Sequence, residues 1–335
     1  MYKIVFLKNE RNDATDYYVQ LIKKSLQENG ETVLVVDDLK KIEKGDKVLT
    51  ISLKAFFYTW LRNPKQFIFH WFQGVTPEEA KMLFSNKRFQ GNIRWLYLSL
   101  FERFVLFFSK FNFFVSDAML DHYKRKYNYR KNNFMIMPCY NQKLNINAFH
   151  DGKYKDPTFV YAGSLSDWQC INETLQVFKG IQYKIPAARM FLFTAEKEKA
   201  FFLIEKNQVE NIVVDYVEYS QLNDKLKDIK YGFLIRENIL INNVSTPTKM
   251  NGYLANGVIP IYSDFISDFK LNLKGEFLIN SKKHLDMIDK VINFEANKIC
   301  SDDVRSEYEQ LFKRYYSDEN YLKEISKNFK KFKVI

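Results

Sequence analysis

Apolar and polar residues fall along this chain in two successive series, each alternating short apolar runs with longer amphipathic stretches. Lys3–Leu7 is an apolar run and predicts a strand, while Asp13–Asn29 shows helical spacing and stops at Gly30, a good residue past a helix end. Thr32–Val36, Val48–Ser52 and Gln66–Trp71 predict further strands. Thr76, Pro77 and Glu79 read as the cap, first helical residue and capping-box partner of the next helix. A long helix is predicted from about Asn92 to Ser109 and a strand over Phe111–Val115. A helix capped by Ser116 or Asp117 and running to Tyr127, then a strand over Phe134–Met137, complete the series. Such alternation predicts a parallel sheet covered on both faces.

Cys139–Pro157 is polar and aperiodic and reads as a linker. The pattern then restarts with strands over Thr158–Ala162, Met190–Phe193, Ile212–Tyr216, Tyr231–Ile235, Val258–Tyr262 and Glu276–Ile279. Ser166, with Gln169 three residues on, reads as the capping box of a helix ending at Gly180. Glu196–Lys206, Ser220–Lys227 and Lys249–Asn256 predict helices, the last ending at Gly257. Lys282–Phe294, Asp302–Tyr316 and Glu319–Phe332 form a helical tail. The expected division is 1–145, 155–310 and a C-terminal helix over 311–335 that returns to the first domain.

Composition narrows the classes. Three dispersed cysteines and four dispersed histidines in 335 residues make neither a disulfide framework nor a metal cluster, so a reducing cytosol is the expected compartment. No secretory leader or spanning segment is read; the nearest apolar window, WLYLSLFERFVLFF, is interrupted by Glu102 and Arg103 and reads as a helix. Charge is uneven: residues 1–150 hold 24 Lys and Arg against 14 Asp and Glu, and the rest hold 27 against 26. The excess lies between Lys81 and Lys143, interleaved with aromatics. Such a patch suits an anionic membrane surface, and no nucleic-acid reader motif accompanies it.

The candidate chemistry lies in the second series. No G-x-G-x-x-G follows the first strand, and no Walker sequence, nucleophile elbow or H-E-x-x-H is present. The segment YGFLIRENILINNVSTPTKMNGYLANGVIPIYS instead brings Arg236 to the carboxyl end of a strand. It then places Lys249 at a helix start behind the corner Ser245-Thr246-Pro247-Thr248. Open α/β sheets bind ligands at strand ends, and a helix start with hydroxyls and a lysine suits phosphates. Gly163-Ser164, after the strand TFVYA, makes a second such corner. A diphosphate between Arg236 and Lys249 is the expected ligand.

These residues carry a resemblance. FVYAGSLSDWQ, the Tyr231–Ser263 segment and FIFHWFQGVTPEE together resemble bacterial glycosyltransferases of the GT-B fold, of the retaining group often called family 4, over nearly the whole chain. The resemblance implies two Rossmann-like α/β domains facing a cleft, with C-terminal helices. It implies a sugar nucleotide, expected to be UDP-linked, as donor, with no metal or other cofactor. Arg236 and Lys249 would be catalytic, holding the leaving diphosphate. Gly163, Ser164, Asn242, Ser245, Thr246, Thr248 and Tyr253 would contact the donor, and the Tyr216–Leu222 segment, with Tyr216, Val217 and Leu222, its base. His70, Gln73 and Gly74 would lie on the acceptor side, facing a lipid-linked saccharide of surface-glycan synthesis at the cytoplasmic membrane face. Where this family usually has a ribose-holding Glu, the chain has Gly252, and the companion acidic position is Val244. Gly252 favours a non-catalytic partner of a transferase as one alternative. A nucleotide-sugar epimerase is the other, though no convincing carboxylate pair is in view.

Overall fold

The computed structural model describes residues 1–7, 10 and 13–333. Lys8, Asn9, Arg11 and Asn12, in the loop read above as lacking a glycine fingerprint, lie outside the described residues. The chain divides into two compact units: residues 1–141, 244–246 and from 317 onward, and residues 142–243 with 247–316.

In the first unit the strands are β1 Tyr2–Val5, β2 Val33–Val36, β3 Lys47–Thr50, β4 Phe67–Phe72, β5 Phe111–Phe114 and β6 Phe134–Ile136. The helices are α1 Asp13–Glu28, α2 Leu53–Arg62, α3 Thr76–Leu83, α4 Arg88–Phe108 and α5 Asp117–Tyr127. The sheet is parallel with order β2-β1-β3-β4-β5-β6, so the order reverses beside β1. Almost every residue of β1, β4 and β5 is buried, as a sheet covered on both faces requires. Ser116 caps α5, its Oγ accepting from Met119 N at 3.0 Å. The start of α3 differs from expectation: Val75 occupies the cap position, and Glu79 Oε1 accepts from Val75 N at 3.1 Å. The carboxylate half of the capping box forms, with Thr76 already inside the helix. A helix over Asp318–Lys331 completes this unit: the Phe329 ring, fully buried, lies 5.6 Å from Phe111 and 5.7 Å from Phe69.

In the second unit the strands are β7 Thr158–Ala162, β8 Arg189–Phe193, β9 Ile212–Asp215, β10 Tyr231–Leu234, β11 Ile259–Ser263 and β12 Ile279–Ser281. The helices are α6 Ile171–Lys184, α7 Lys197–Asn207, α8 Tyr219–Leu226, α9 Leu240–Val244, α10 Thr248–Ala255, α11 Ser267–Asn272, α12 His284–Glu295 and α13 Ser301–Arg314. The sheet order β12-β11-β10-β7-β8-β9 is that of a doubly wound dinucleotide-binding fold, with its reversal between β7 and β10.

Several expectations are corrected here. Gly180 does not end α6, which runs four residues further; a Cβ on Gly180 would run into Ile288 of α12. This glycine serves close helix–helix approach, which outweighs its roughly 1 kcal/mol cost inside a helix. Ser166 makes no side-chain cap; it precedes a short 3-10 turn, and α6 starts after Cys170, held left-handed at φ +54°. The last strand starts at Ile279 and not at Glu276, because the Glu276 and Phe277 amides donate to the Glu307 carboxylate at 2.6 and 3.1 Å. The stretch read as a linker belongs largely to the second unit: Asn145 N donates to Ala255 O at 2.8 Å and Tyr154 OH to Gly257 O at 2.7 Å.

Candidate functional site

The site in the second unit begins where its sheet order reverses. β7 ends at Ala162, and Gly163 follows at φ +138°, a conformation L side chains rarely adopt. A Cβ there would sit 3.0 Å from Lys249 Nζ, so this corner needs glycine for its backbone and for its neighbour. β10, paired with β7, ends at Leu234 and delivers Arg236, which is buried. Arg236 N donates to Ser263 Oγ at 2.8 Å, and its Nη1 donates to Ile235 O at 2.9 Å and Gln169 O at 3.2 Å. Arg236 Nη2 donates to Gln169 Oε1 at 2.7 Å. Lys249 Nζ donates to the same oxygen at 2.8 Å and lies 4.1 Å from the centre of the Tyr161 ring.

Two cations therefore converge on one neutral carboxamide oxygen. Burial, and then the Arg236 charge, push the Lys249 pKa well below the ordinary lysine range. Burial likewise lowers that of Arg236. Such an arrangement stores unfavourable electrostatic energy that an anion would relieve. The start of α10 adds to it: Pro247 sits at the cap position without a capping side chain, and Thr248 and Lys249 open the helix. The sequence marks Gln169 as a capping partner and as the last residue of FVYAGSLSDWQ, but not as a holder of both cations, a role that depends on the 3-10 turn that turns it inward.

The other expected donor residues are distributed unevenly. Ser164 is exposed, its Oγ 3.3 Å from Ser166 Oγ. Tyr216 is exposed, with Val217 and Leu222 half-buried nearby in sequence. Asn242 is buried in α9, where a polar loop was expected, and its Nδ2 donates to Glu237 O at 3.2 Å. Thr246 Oγ1 accepts from Cys139 N at 2.9 Å, and Val244–Thr246 groups with the first unit. Tyr253 is buried against Gly232, its OH donating to Phe233 O at 3.2 Å. In front of Gly252 lies Gln142, whose Nε2 would be 3.6 Å from a Cβ at that position. Gln142 is fixed there by Asn251 and Asn256: its N donates to Asn251 Oδ1 at 2.8 Å and its Oε1 accepts from Asn256 Nδ2 at 3.1 Å. Nothing in the sequence singled out Gln142, which falls in the stretch read as linker.

Cys170, Glu173 and Glu237 bring one ligand atom each within 4.8 Å of one another. Burial pushes the Cys170 thiol up to about 11, so it stays protonated, and the Arg236 charge lies near enough to act on it. A neutral thiol beside a guanidinium is a poor cation ligand.

The first unit has a cleft of about 540 Å³ at its own reversal point, lined by the ends of β3 and β4 and the start of α3. His70, Gln73 and Gly74 all line it, together with Glu10 and Glu79. His70 Nδ1 lies 2.8 Å from Thr50 Oγ1, and burial lowers its pKa to about 3, so the ring is neutral near pH 7. Gln73 Nε2 is buried without a hydrogen-bond partner among the described residues. A Cβ on Gly74 would collide with the Glu79 carboxylate, whose pKa burial raises.

Two such units define the fold as GT-B, and solved structures carry the same likeness. S. aureus TarM, in a mutant form solved with fondaparinux, alpha-GlcNAc-glycerol and UDP, superposes with TM-score 0.60 at 13% identity, over 85% of this chain and 55% of that one. WaaG, a glycosyltransferase involved in lipopolysaccharide biosynthesis, gives 0.63 at 10% identity over 97% and 99%. An E. coli trehalose-6-phosphate protein bound with UDP-2-fluoro glucose gives 0.66 at 8% over 97% and 99%. The chain thus spans about half of TarM and nearly all of the other two. No protein-family profile and no curated protein matches the chain by sequence. At these identities the likeness is one of fold.

Proposed function

We propose that this protein is a glycosyltransferase that moves a sugar from a UDP-linked donor to a hydroxyl of a saccharide acceptor. The observation that carries the reading is the meeting of Arg236 and Lys249 on the Gln169 oxygen, at the point where β7 and β10 diverge. The solved proteins of this fold that hold UDP or a UDP-sugar support the choice of donor.

The demanding step is departure of the nucleoside diphosphate, which leaves with growing negative charge. Arg236 and Lys249 would meet that charge and give up their shared contact with Gln169. Because the two cations are already in place, little reorganisation accompanies the step. They take the part a divalent cation would otherwise play, so chelators should leave turnover unchanged. Thr248 at the start of α10 and the backbone at Gly163 would complete the diphosphate seat. Ser164, Ser245, Thr246, Asn242 and Tyr253 stay candidates for the donor, as does the Tyr216–Leu222 segment for its base. The cleft holding His70, Gln73 and Gly74 would receive the acceptor. Retention of configuration, a lipid-linked acceptor in surface-glycan synthesis and work at the cytoplasmic membrane face are the finer parts of this reading.

The test is hydrolysis and transfer with a panel of nucleotide sugars, paired with calorimetry of UDP. UDP binding that disappears in Arg236→Ala and Lys249→Ala supports the reading. Wild-type turnover in either variant at saturating donor would overturn it. UDP binding without turnover of any donor would instead favour the non-catalytic partner that Gly252 suggests.

A further inference from the structure

We propose that the outward face of α4 is a docking surface for an anionic lipid bilayer. At 3.6 residues per turn, Phe89, Ile93, Leu96 and Leu100 fall within about 60° of one another around the helix. All four point to solvent, Phe89 being 78% and Leu100 60% exposed. Phe104, Phe107 and Phe108 extend the stripe, and with Leu100 and Arg103 they line a shallow groove of about 310 Å³. The helix has 21 residues, about 30 Å, so the stripe is long as well as apolar. A contiguous apolar face of this extent is uncommon on a free surface and marks an interaction site.

The opposite face is anchored by polar bonds. Glu102, fully buried, accepts from Tyr127 OH at 2.7 Å, Tyr123 OH at 3.1 Å and Lys126 Nζ at 3.3 Å. The sequence of α4 thus turns the usual order of a surface helix round: its carboxylate faces inward and its aliphatic stripe faces water. Held in this way, α4 presents the stripe as a fixed ridge.

Charge decides the occupant. Arg88, Arg94 and Arg103 flank the stripe and are exposed, and Glu102, the one acid in the α4 sequence, is buried. Lys81, Lys87 and Lys110 extend the same sign just beyond the helix ends. A second copy docking through a twofold axis would set this positive rim against itself. An anionic leaflet satisfies both parts: the ridge enters the headgroup boundary and the arginines meet the phosphates, each worth about 1 kcal/mol near the surface.

The proposal extends the membrane part of the reading above, and its test requires no donor and no turnover. Vesicles of equal parts phosphatidylglycerol and phosphatidylcholine should sediment the protein, pure phosphatidylcholine vesicles far less, and added salt should weaken the binding several-fold. The double variant Leu96→Asp/Leu100→Asp should lose about tenfold or more in vesicle affinity while keeping its circular dichroism and its affinity for UDP. Phe89→Ser/Ile93→Ser should lose a smaller amount in the same direction. Replacing Arg88, Arg94 and Arg103 by Gln should remove much of the salt dependence. Failure of the wild type to sediment with anionic vesicles overturns the proposal, as does unchanged binding by the Asp variant. So does a wild-type dimer in analytical ultracentrifugation that the Asp variant dissolves. Loss of UDP binding in Arg236→Ala bears only on the donor site and leaves this surface untouched.

Discussion

The two units share a parallel six-stranded sheet with a reversal of strand order, yet they treat charge in opposite ways. The first is strongly basic overall, but the cleft at its reversal point sets a single lysine, Lys54, beside the carboxyls of Glu10 and Glu79, a neutral His70, and a Gln73 Nε2 with no hydrogen-bond partner among the described residues. The second is nearly balanced in sequence, but two buried cations meet at its reversal point with only a carboxamide between them. In the first unit the excess of lysine and arginine belongs to the outside of α4 and its neighbours. In the second a single buried pair, Arg236 and Lys249, stands at a strand end and a helix start, the seat proposed for the donor diphosphate.

The strongest way to break this contrast is to remove the cations. Arg236→Ala and Lys249→Ala should each lower kcat by about 10²–10³, the usual effect of losing one preorganised donor to a developing charge. Steady-state kinetics at saturating donor checks this, with thermal melts to confirm that the fold is kept. Supplying the missing counter-charge is nearly as severe: Gln169→Glu should raise the melting temperature, because it pairs two buried cations, and should weaken UDP binding by tenfold or more. Calorimetry that finds unchanged affinity in this variant would show that the pair is not the diphosphate seat.

Backbone geometry gives a smaller effect. Gly163→Ala forces a side chain into φ +138° and against Lys249 Nζ, and should cost about 1–3 kcal/mol in denaturant unfolding. Across the contrast, Gly252→Ala meets only the ordinary contact with Gln142 and removes a helix-interior glycine. It should be neutral or stabilising by up to about 1 kcal/mol.

The first unit supplies a pH test. His70 has its pKa lowered from 6.5 to about 3 by burial, so the unfolded chain binds more protons between those values. Its contribution to stability is complete above pH 6.5 and fades as pH falls towards 3. His70→Gln should therefore flatten the acid limb of the unfolding curve within that window. An unaltered limb, followed by far-UV circular dichroism, would mean that the ring is not held neutral.

Much of this architecture could be read from patterning, because strands buried on both faces leave long apolar runs such as FIFHWF and TFVYA. The readings that failed did so where a side chain or a distant helix took over a local role. Gly180 looks like a stop signal until Ile288 is placed beside it, and the amides of Glu276 and Phe277 look like strand amides until Glu307 accepts from them. Helices α2 and α11 passed unrecognised. In the site, Arg236, Lys249 and Gly163 were legible because strand ends and helix starts carry position-specific chemistry. Gln169 and Gln142 were not, since their contacts lie 67 to 80 and 109 residues away in sequence.

The return of the Asp318–Lys331 helix to the first unit has a consequence for biosynthesis. Phe69, Phe111 and Phe113 leave the ribosome long before Phe329, the residue that covers them. They precede it by 216 to 260 residues, so at cellular elongation rates this aromatic surface waits roughly 10–50 s for its lid. The nascent first unit is then an open sheet while the second unit folds behind it, and this interval is when chaperones would be needed. Moving the Asp318–Lys331 segment ahead of β1 by circular permutation would close the gap and should raise soluble yield in chaperone-poor translation.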